Sequence, residues 1–353
     1  MFFRGSVLSE EEVLKVHNES IRILEEIGVR VPSEKALTML EKGGAEINWD
    51  NQVAYIDEAM VRDAISKAPK EIMLGGRNPK FDVHMGPNGS VCGSGENAFA
   101  GPFINMDGCG SHVIDFHTGE RRLARVQDLM DAGKIFDAVP ECQMLWSCIM
   151  PEDLPAGAAG VASSAYSMLA SGKHVLDEVQ NIHELPYIIE LCKAFVGDER
   201  AVKERKVYGG CYCTVAPLSH DAEMLEGTLE ITKKYQAPVL IFPMPATGST
   251  GPASLYSNVA MANAEALSSL VIYQLNSPGT PLIFGAALGK MNVRTGYFSE
   301  GAVETSLQMT AMNEMGKYYG FPTTVAGCLS DANYLGEQAT MEKVFTTLPL
   351  LQG

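Results

Sequence analysis

Aromatic rings and carboxylates recur at the ends of the short apolar runs of this sequence. Glu96 and Phe99 follow Ser90–Gly93, Trp146 lies in Met144–Ile149, and Asp177 and Glu178 lie in His174–Val179. Tyr212 and Thr214 fall in Val207–Val215, Phe242 and Met244 close Val239–Pro243, Phe284 belongs to Leu282–Gly285, and Ser330, Asp331 and Tyr334 follow Thr323–Cys328. An aromatic face attracts a cation through its ring quadrupole. That suits a quaternary ammonium, whose charge is spread over methyl groups that cannot donate strong hydrogen bonds. Glu96, Phe99, Trp146, Tyr212, Phe242, Phe284 and Tyr334 are therefore the candidate substrate-binding residues. Taken singly, an aromatic on such a strand more often packs than binds. For a carboxylate elsewhere on the same substrate, the candidates are the backbone N–H groups of the Gly248–Gly251 loop and His220, which serves equally well as a satisfied loop residue.

Metal chemistry finds little support. The eight cysteines (Cys92, Cys109, Cys142, Cys148, Cys192, Cys211, Cys213, Cys328) are scattered, and the seven histidines form no H-x-x-x-H or H-x-C motif. Cys211 and Cys213 point to one face of a strand with no adjacent histidine, and zinc needs three or four ligands. Free, buried structural thiols are expected, and no metal.

The elements that must position these residues follow from periodicity. Ala237–Met291 reads as one complete strand-loop-helix-strand unit: an apolar run at Pro238–Pro243, a Gly/Ser/Thr/Pro-rich loop at Pro245–Pro252, and a helix to about Leu275. Asn276-Ser277-Pro278-Gly279 stops that helix, and the next strand starts at Pro281. Seven such strands alternate with helices from Ser90 onward, which demands a parallel sheet. The expected fold is α/β, a (βα)8 TIM-type barrel apparently truncated before its eighth strand. Its active site belongs at the carboxyl ends of the strands. Residues 1–88 read as an N-terminal α+β extension and 89–353 as the incomplete barrel. The extension opens with a capping box at Ser9 and Glu12 and a helix over 10–27 that stops at Gly28. It serves as a cap over part of the barrel or as the interface of a homo-oligomer. A hairpin strand is expected at Val113–Phe116.

Composition bounds the remaining choices. With 46% hydrophobic and 20% charged residues, the chain has the makeup of a folded enzyme. No apolar run reaches the roughly 18 residues of a membrane span, and MFFRGSVLSEEEV turns acidic too early for a signal peptide. A cytoplasmic protein is expected, with no membrane partner. A net charge of −16 is opposite to a nucleic-acid footprint.

The stretch PMPATGSTGPASLYSNVAMANAEALSSLVIYQLNSPGTPLIFG closely resembles the signature of the trimethylamine methyltransferase family, in which corrinoid-dependent enzymes demethylate methylated amines. The likeness extends to ILEEIGVRV, GGRNP and SDANYLGEQATMEK. It implies a corrinoid (cobalamin) carried on a partner corrinoid protein and a small methylated-amine substrate. Members acting on trimethylamine carry pyrrolysine in a segment resembling Gln338–Lys343, and the matching position here is Met341. That departure implies the non-pyrrolysine, quaternary-amine branch, with glycine betaine, proline betaine or carnitine as the type of substrate and no catalytic side chain assigned. The alternatives are a non-catalytic quaternary-amine-binding protein on the same fold, trimethylamine demethylation, or another barrel enzyme such as a lyase of small acids.

Overall fold

Two compact units make up the chain, one of Met1–Lys70, Cys213–Leu225 and Leu240–Gly353, the other of Glu71–Tyr212 and Glu226–Val239. The computed structural model describes residues 5–87, 89–93, 99–106, 110–147 and 149–352. The fold is mixed α/β, and its strand-helix alternation follows the sequence pattern.

In the first unit, Ser9 caps the helix Glu10–Arg22 reciprocally with Glu12, as the capping box requires. The helix then widens into a π turn, Ile23–Ile27, before Gly28 ends it at φ +79°, where a side chain would also strike Val53 and the Ala54 carbonyl. An antiparallel sheet ordered Val29–Arg30, Val53–Tyr55, Glu46–Asn48 follows, with helices Glu34–Gly43 and Glu58–Lys67 capped by Ser33 and Asp57. These helices and Val303–Tyr318 surround the central helix Leu255–Asn276, in which the residues from Asn258 to Gln274 are all buried. Small side chains at Ala260, Ala262, Ala264 and Ala266 let its neighbours approach from every side. Its end is fixed by Gln274, whose amide donates to the Thr280 carbonyl (3.0 Å) and accepts from the Gly279 N–H (2.9 Å). The parallel strands of this unit are Leu282–Ala286 and Thr323–Val325, paired with each other, and Val239–Ile241, whose first residue belongs to the other unit.

In the second unit, Tyr208–Tyr212, His174–Glu178, Cys142–Leu145 and Ile104–Met106 lie side by side, each pair parallel. Seven strands thus carry the parallel alternation, as expected, but the first of them differs. Ser90–Gly93 was expected to open the series, yet Gly89–Cys92 is the third strand of an antiparallel meander with Ile72–Leu74, Val83–Gly86 and Phe99–Ala100. Its faces explain why: Val91 is exposed and Cys92 buried, the pattern of a strand covered on one side only. The expected hairpin forms between His112–Ile114 and Arg121–Leu123. Helix Glu199–Arg205, short and charged, has no counterpart in the sequence reading.

The GGRNP segment is a close-packed crossing in this unit. A β-carbon on Gly75 would lie 1.7 Å from the Arg205 carbonyl oxygen, and one on Gly76 would lie 2.8 Å from that of Gly172. Arg205 clamps the crossing with two hydrogen bonds to Asp82, at 2.7 and 2.8 Å, and one to the Gly76 carbonyl. A bidentate guanidinium-carboxylate pair fixes direction as well as distance. Gly75→Ala should therefore force a backbone shift and lower stability by roughly 1–3 kcal/mol, whereas Gly157→Ala, with open space around it, should leave the urea midpoint close to wild type.

Candidate active site

Side-chain direction on the strands sorts the candidate residues. In the second unit, Gly133 of helix Val126–Ala138 faces Leu145, and Ser147 reaches Asp177 and Ser167, so Leu145 and Ser147 point to the helices. Trp146 between them projects from the opposite face, at the carboxyl end of its strand and 8% exposed. Glu178, half-buried, shares that face, because it alternates with Asp177. Tyr212 does not share it. Tyr208 packs with Val175, Ile188 and Ile231 on the helix side, and Gly210 faces Thr228 of helix Ala222–Tyr235. Tyr212 follows the same alternation and is fully buried. Glu96 lies outside the described residues, as does the side chain of Phe99.

Asp177 is a buried carboxylate held by hydroxyls: Ser147 donates at 2.6 Å, Ser164 at 2.9 Å, and the Glu178 N–H at 2.9 Å. Burial pushes its pKa up to about 6, against the pull of these three donors. It ties strand His174–Glu178 to helix Ala159–Ala170 on the packed face, away from Trp146.

The first unit repeats this division. Phe242 sits against Gly285, where a β-carbon would come within 2.9 Å of its ring. Phe284, one residue earlier, points the other way and stacks on Phe321 with centroids 6.3 Å apart and planes 4° from parallel, beside Tyr319 and Gly316. Tyr334 is 79% exposed. Among the described residues Trp146 and Phe242 thus lie on the strand face opposite the one that packs against the helices, each in its own unit. Tyr212 and Phe284 are built into the helix-packed face, and Tyr334 stands in solvent.

Two loops that leave the strand ends are held from behind by the central helix. Glu265 receives the Thr214 hydroxyl at 2.5 Å on one oxygen and the Leu218 N–H at 2.8 Å on the other. Asn258, two turns earlier on the same face, donates to the Pro245 carbonyl (3.2 Å) and to Gln308 (2.7 Å), which also accepts from the Thr247 hydroxyl (2.8 Å). The Gly-rich loop itself is closed on its own atoms. The N–H groups of Gly248, Ser249 and Gly251 donate to carbonyls within 246–252, and that of Ala246 donates to the Thr250 hydroxyl. Those donors are spent on the turn, which weakens the loop as an anion cradle. His220 is likewise turned inward, 3.0 Å from Ser268, and burial drives its pKa down to about 3, so it is neutral. Glu265 and Asn258 lie inside the segment that carries the family likeness, yet both read as helix interior. An uncharged-looking helical stripe interrupted by Asn and Glu was the available signal.

At the far end of the first unit, Glu342 gathers the Ser330 hydroxyl (2.7 Å) and the Asp331 N–H (2.8 Å), tying the loop after Thr323–Val325 to helix Glu337–Gln352. Met341 on that helix is 57% exposed. Cys92, Cys192, Cys211 and Cys213 are buried and in no disulfide, and among the described residues no group of three or more His, Cys, Asp or Glu side chains is arranged to hold a metal.

Among these groups Glu265 gives the clearest pH signature. Burial lifts its pKa from 4.5 to about 7, and the bonds from Thr214 and Leu218 offset this only in part. The unfolded chain has no such burden, so the native state holds this proton more tightly. Its stabilising contribution is complete below pH 4.5 and is lost as pH rises through 7. Between pH 4.5 and 8 the wild type should lose about 3 kcal/mol relative to Glu265→Gln, read as the gap between the two urea-midpoint curves.

Across 97% of its length the chain is 28% identical to a glycine betaine methyltransferase of Desulfitobacterium hafniense (strain Y51), covering 68% of that protein. It is also 28% identical to a trimethylamine methyltransferase, MttB, of another strain of that species, over 96% of this chain and 66% of the relative. With a trimethylamine methyltransferase MttB of Methanosarcina barkeri it shares 26% identity over 99% of its own length and 69% of the other. It thus spans about two thirds of the length of these relatives. The family model described as trimethylamine methyltransferase (MTTB) matches residues 2–353, and the chain belongs to that family of methyltransferases.

Proposed function

We propose that this chain moves a methyl group from a quaternary amine of the betaine type to Co(I) of a corrinoid carried by a partner protein. The observation that carries the reading is Met341, a thioether at the position where the resembling segment of trimethylamine enzymes places pyrrolysine. A neutral tertiary amine is a poor leaving group without an electrophile to activate it, and a thioether offers none. A quaternary nitrogen needs no activation. When its methyl-nitrogen bond breaks, the electron pair stays on nitrogen and the amine departs neutral. The acceptor, Co(I), supplies the electron pair for the new carbon-cobalt bond.

The protein's share of the reaction is then binding, orientation and exclusion of water. Trp146 presents an aromatic face at a strand end with Glu178 on the same side, and Phe242 does so in the other unit. Each ring by itself suits a cation whose surface is methyl groups. Modest contacts serve better than a tight anionic cage, because stabilising the starting cation too strongly slows the loss of its charge. The glycine betaine relative supports the substrate class. The βα alternation from Ile104 onward supports a (βα)8-type barrel within 89–353, preceded by the extension. Free thiols and a reducing acceptor suit the cytoplasm.

The reading is tested with free cob(I)alamin and a panel of glycine betaine, proline betaine, carnitine and trimethylamine, following methylcobalamin formation. At least one betaine should be faster than trimethylamine. Trimethylamine outrunning every betaine would overturn the assignment. With the active betaine, Trp146→Ala should raise KM about tenfold, the equivalent of roughly 1–2 kcal/mol of desolvated cation-aromatic contact. Phe284→Ala should lower the melting temperature and leave KM near wild type.

A further inference from the structure

We propose that Glu265 is a positioning residue for methyl transfer: through Thr214 and Leu218 it holds the loop 213–221 in the one shape that accepts substrate. The inference rests on the functional reading above, because it places the reaction where that reading does, at the carboxyl ends of the strands.

Loop 213–221 leads from the end of strand Tyr208–Tyr212 to helix Ala222–Tyr235. One of its residues is strained. Leu218 has φ +50°, a left-handed conformation that a branched side chain rarely adopts. Such a residue persists only where its surroundings over-determine it, and it is found preferentially at functional sites. Both peptide groups of Leu218 are tied. Its N–H donates to Glu265 at 2.8 Å, and its carbonyl accepts from the Arg30 N–H at 2.9 Å. On either side, Val215 and Ser219 exchange two backbone hydrogen bonds (2.8 and 3.0 Å), and the His220 N–H returns to the Arg30 carbonyl (2.9 Å).

The central helix reaches this loop with the side chains of Ser268, 3.0 Å from His220, and of Glu265, and the chemistry of Glu265 is costly for a merely packed position. It is wholly buried, and its side-chain partners among the described residues are a hydroxyl and a backbone N–H, not a cation. Glutamine has the same length, with an oxygen to accept from Leu218 and an amide to donate to Thr214. The role assigned here is therefore reproducible by Gln and lost in Ala, while general acid-base chemistry would be lost in both.

The test compares Glu265→Ala, Glu265→Gln and Thr214→Val in the full chain. Hydrogen exchange of the peptide 213–221 should speed up at least tenfold in Glu265→Ala, while helix Glu10–Arg22 keeps wild-type protection. Methyl transfer from the active betaine to cob(I)alamin should then show KM raised at least tenfold with kcat within threefold. Glu265→Gln should restore both, and Thr214→Val, which keeps the bond to Leu218, should fall between. Should Glu265→Ala not fold, Thr214→Val against Glu265→Gln carries the same comparison. Unchanged loop exchange in Glu265→Ala and Thr214→Val, equal loosening of the whole chain, or a loosened loop with an unchanged KM would overturn the proposal. The exchange arm needs no substrate, so a wild type inactive on every betaine would sink the functional reading alone and leave the loop measurement to decide the clamp.

Discussion

A helix with no side facing water must find a partner for the polar side chains it carries, and Leu255–Asn276 meets this by reaching outward into other elements. Asn263 donates to Ser20 and to the Tyr319 hydroxyl, both at 2.9 Å, and Tyr319 in turn meets His17 at 3.1 Å. Asn258 and Glu265 take hold of two loops, and Gln274 shapes the turn that begins the next strand. Each bond is worth only about 1 kcal/mol net, but leaving a buried partner unpaired costs more. The polar side chains of this helix therefore specify where its neighbours go, while its alanines decide how near they come.

Much of this was legible in the sequence because it is local. The helix stop at Asn276–Gly279, the capping box at Ser9 and the hairpin near Val113 depend on neighbours a few residues away, and each formed as read. What the sequence hid was direction. Tyr212 and Phe284 looked like Trp146 and Phe242, since all four are aromatics on apolar strands, and only the register decides which face each takes. Strand Gly89–Cys92 was placed in the wrong sheet for a related reason. A four-residue run carries too little alternation to separate a strand buried on both sides from one buried on one side. The clamps were invisible for another cause: Glu265 and Thr214 are 51 positions apart, and nothing in either neighbourhood announces the other.

The two buried carboxylates, Asp177 and Glu265, are unusual companions for a chain of net charge −16. Among the described residues neither has a cation as its partner; each relies on hydroxyls and backbone N–H groups, which stabilise a carboxylate without fixing its charge. An ion pair in the same place would lock one protonation state and carry a larger desolvation cost. Hydroxyl partners can reverse their hydrogens, so these sites keep their geometry whether or not the proton is present.

A small sheet in the first unit joins what the sequence keeps apart. Ala246–Thr247, from the Gly-rich loop, pairs in parallel with Gly289–Met291, from the loop after the next strand, and that segment pairs with Phe298–Ser299. The ring of Phe298 lies over Gly289 so closely that a β-carbon there would meet it at 2.0 Å. The two loops are therefore one mechanical body. Replacing either loop alone would import half of a matched pair, because any side chain at Gly289 meets the ring of Phe298 from the neighbouring strand.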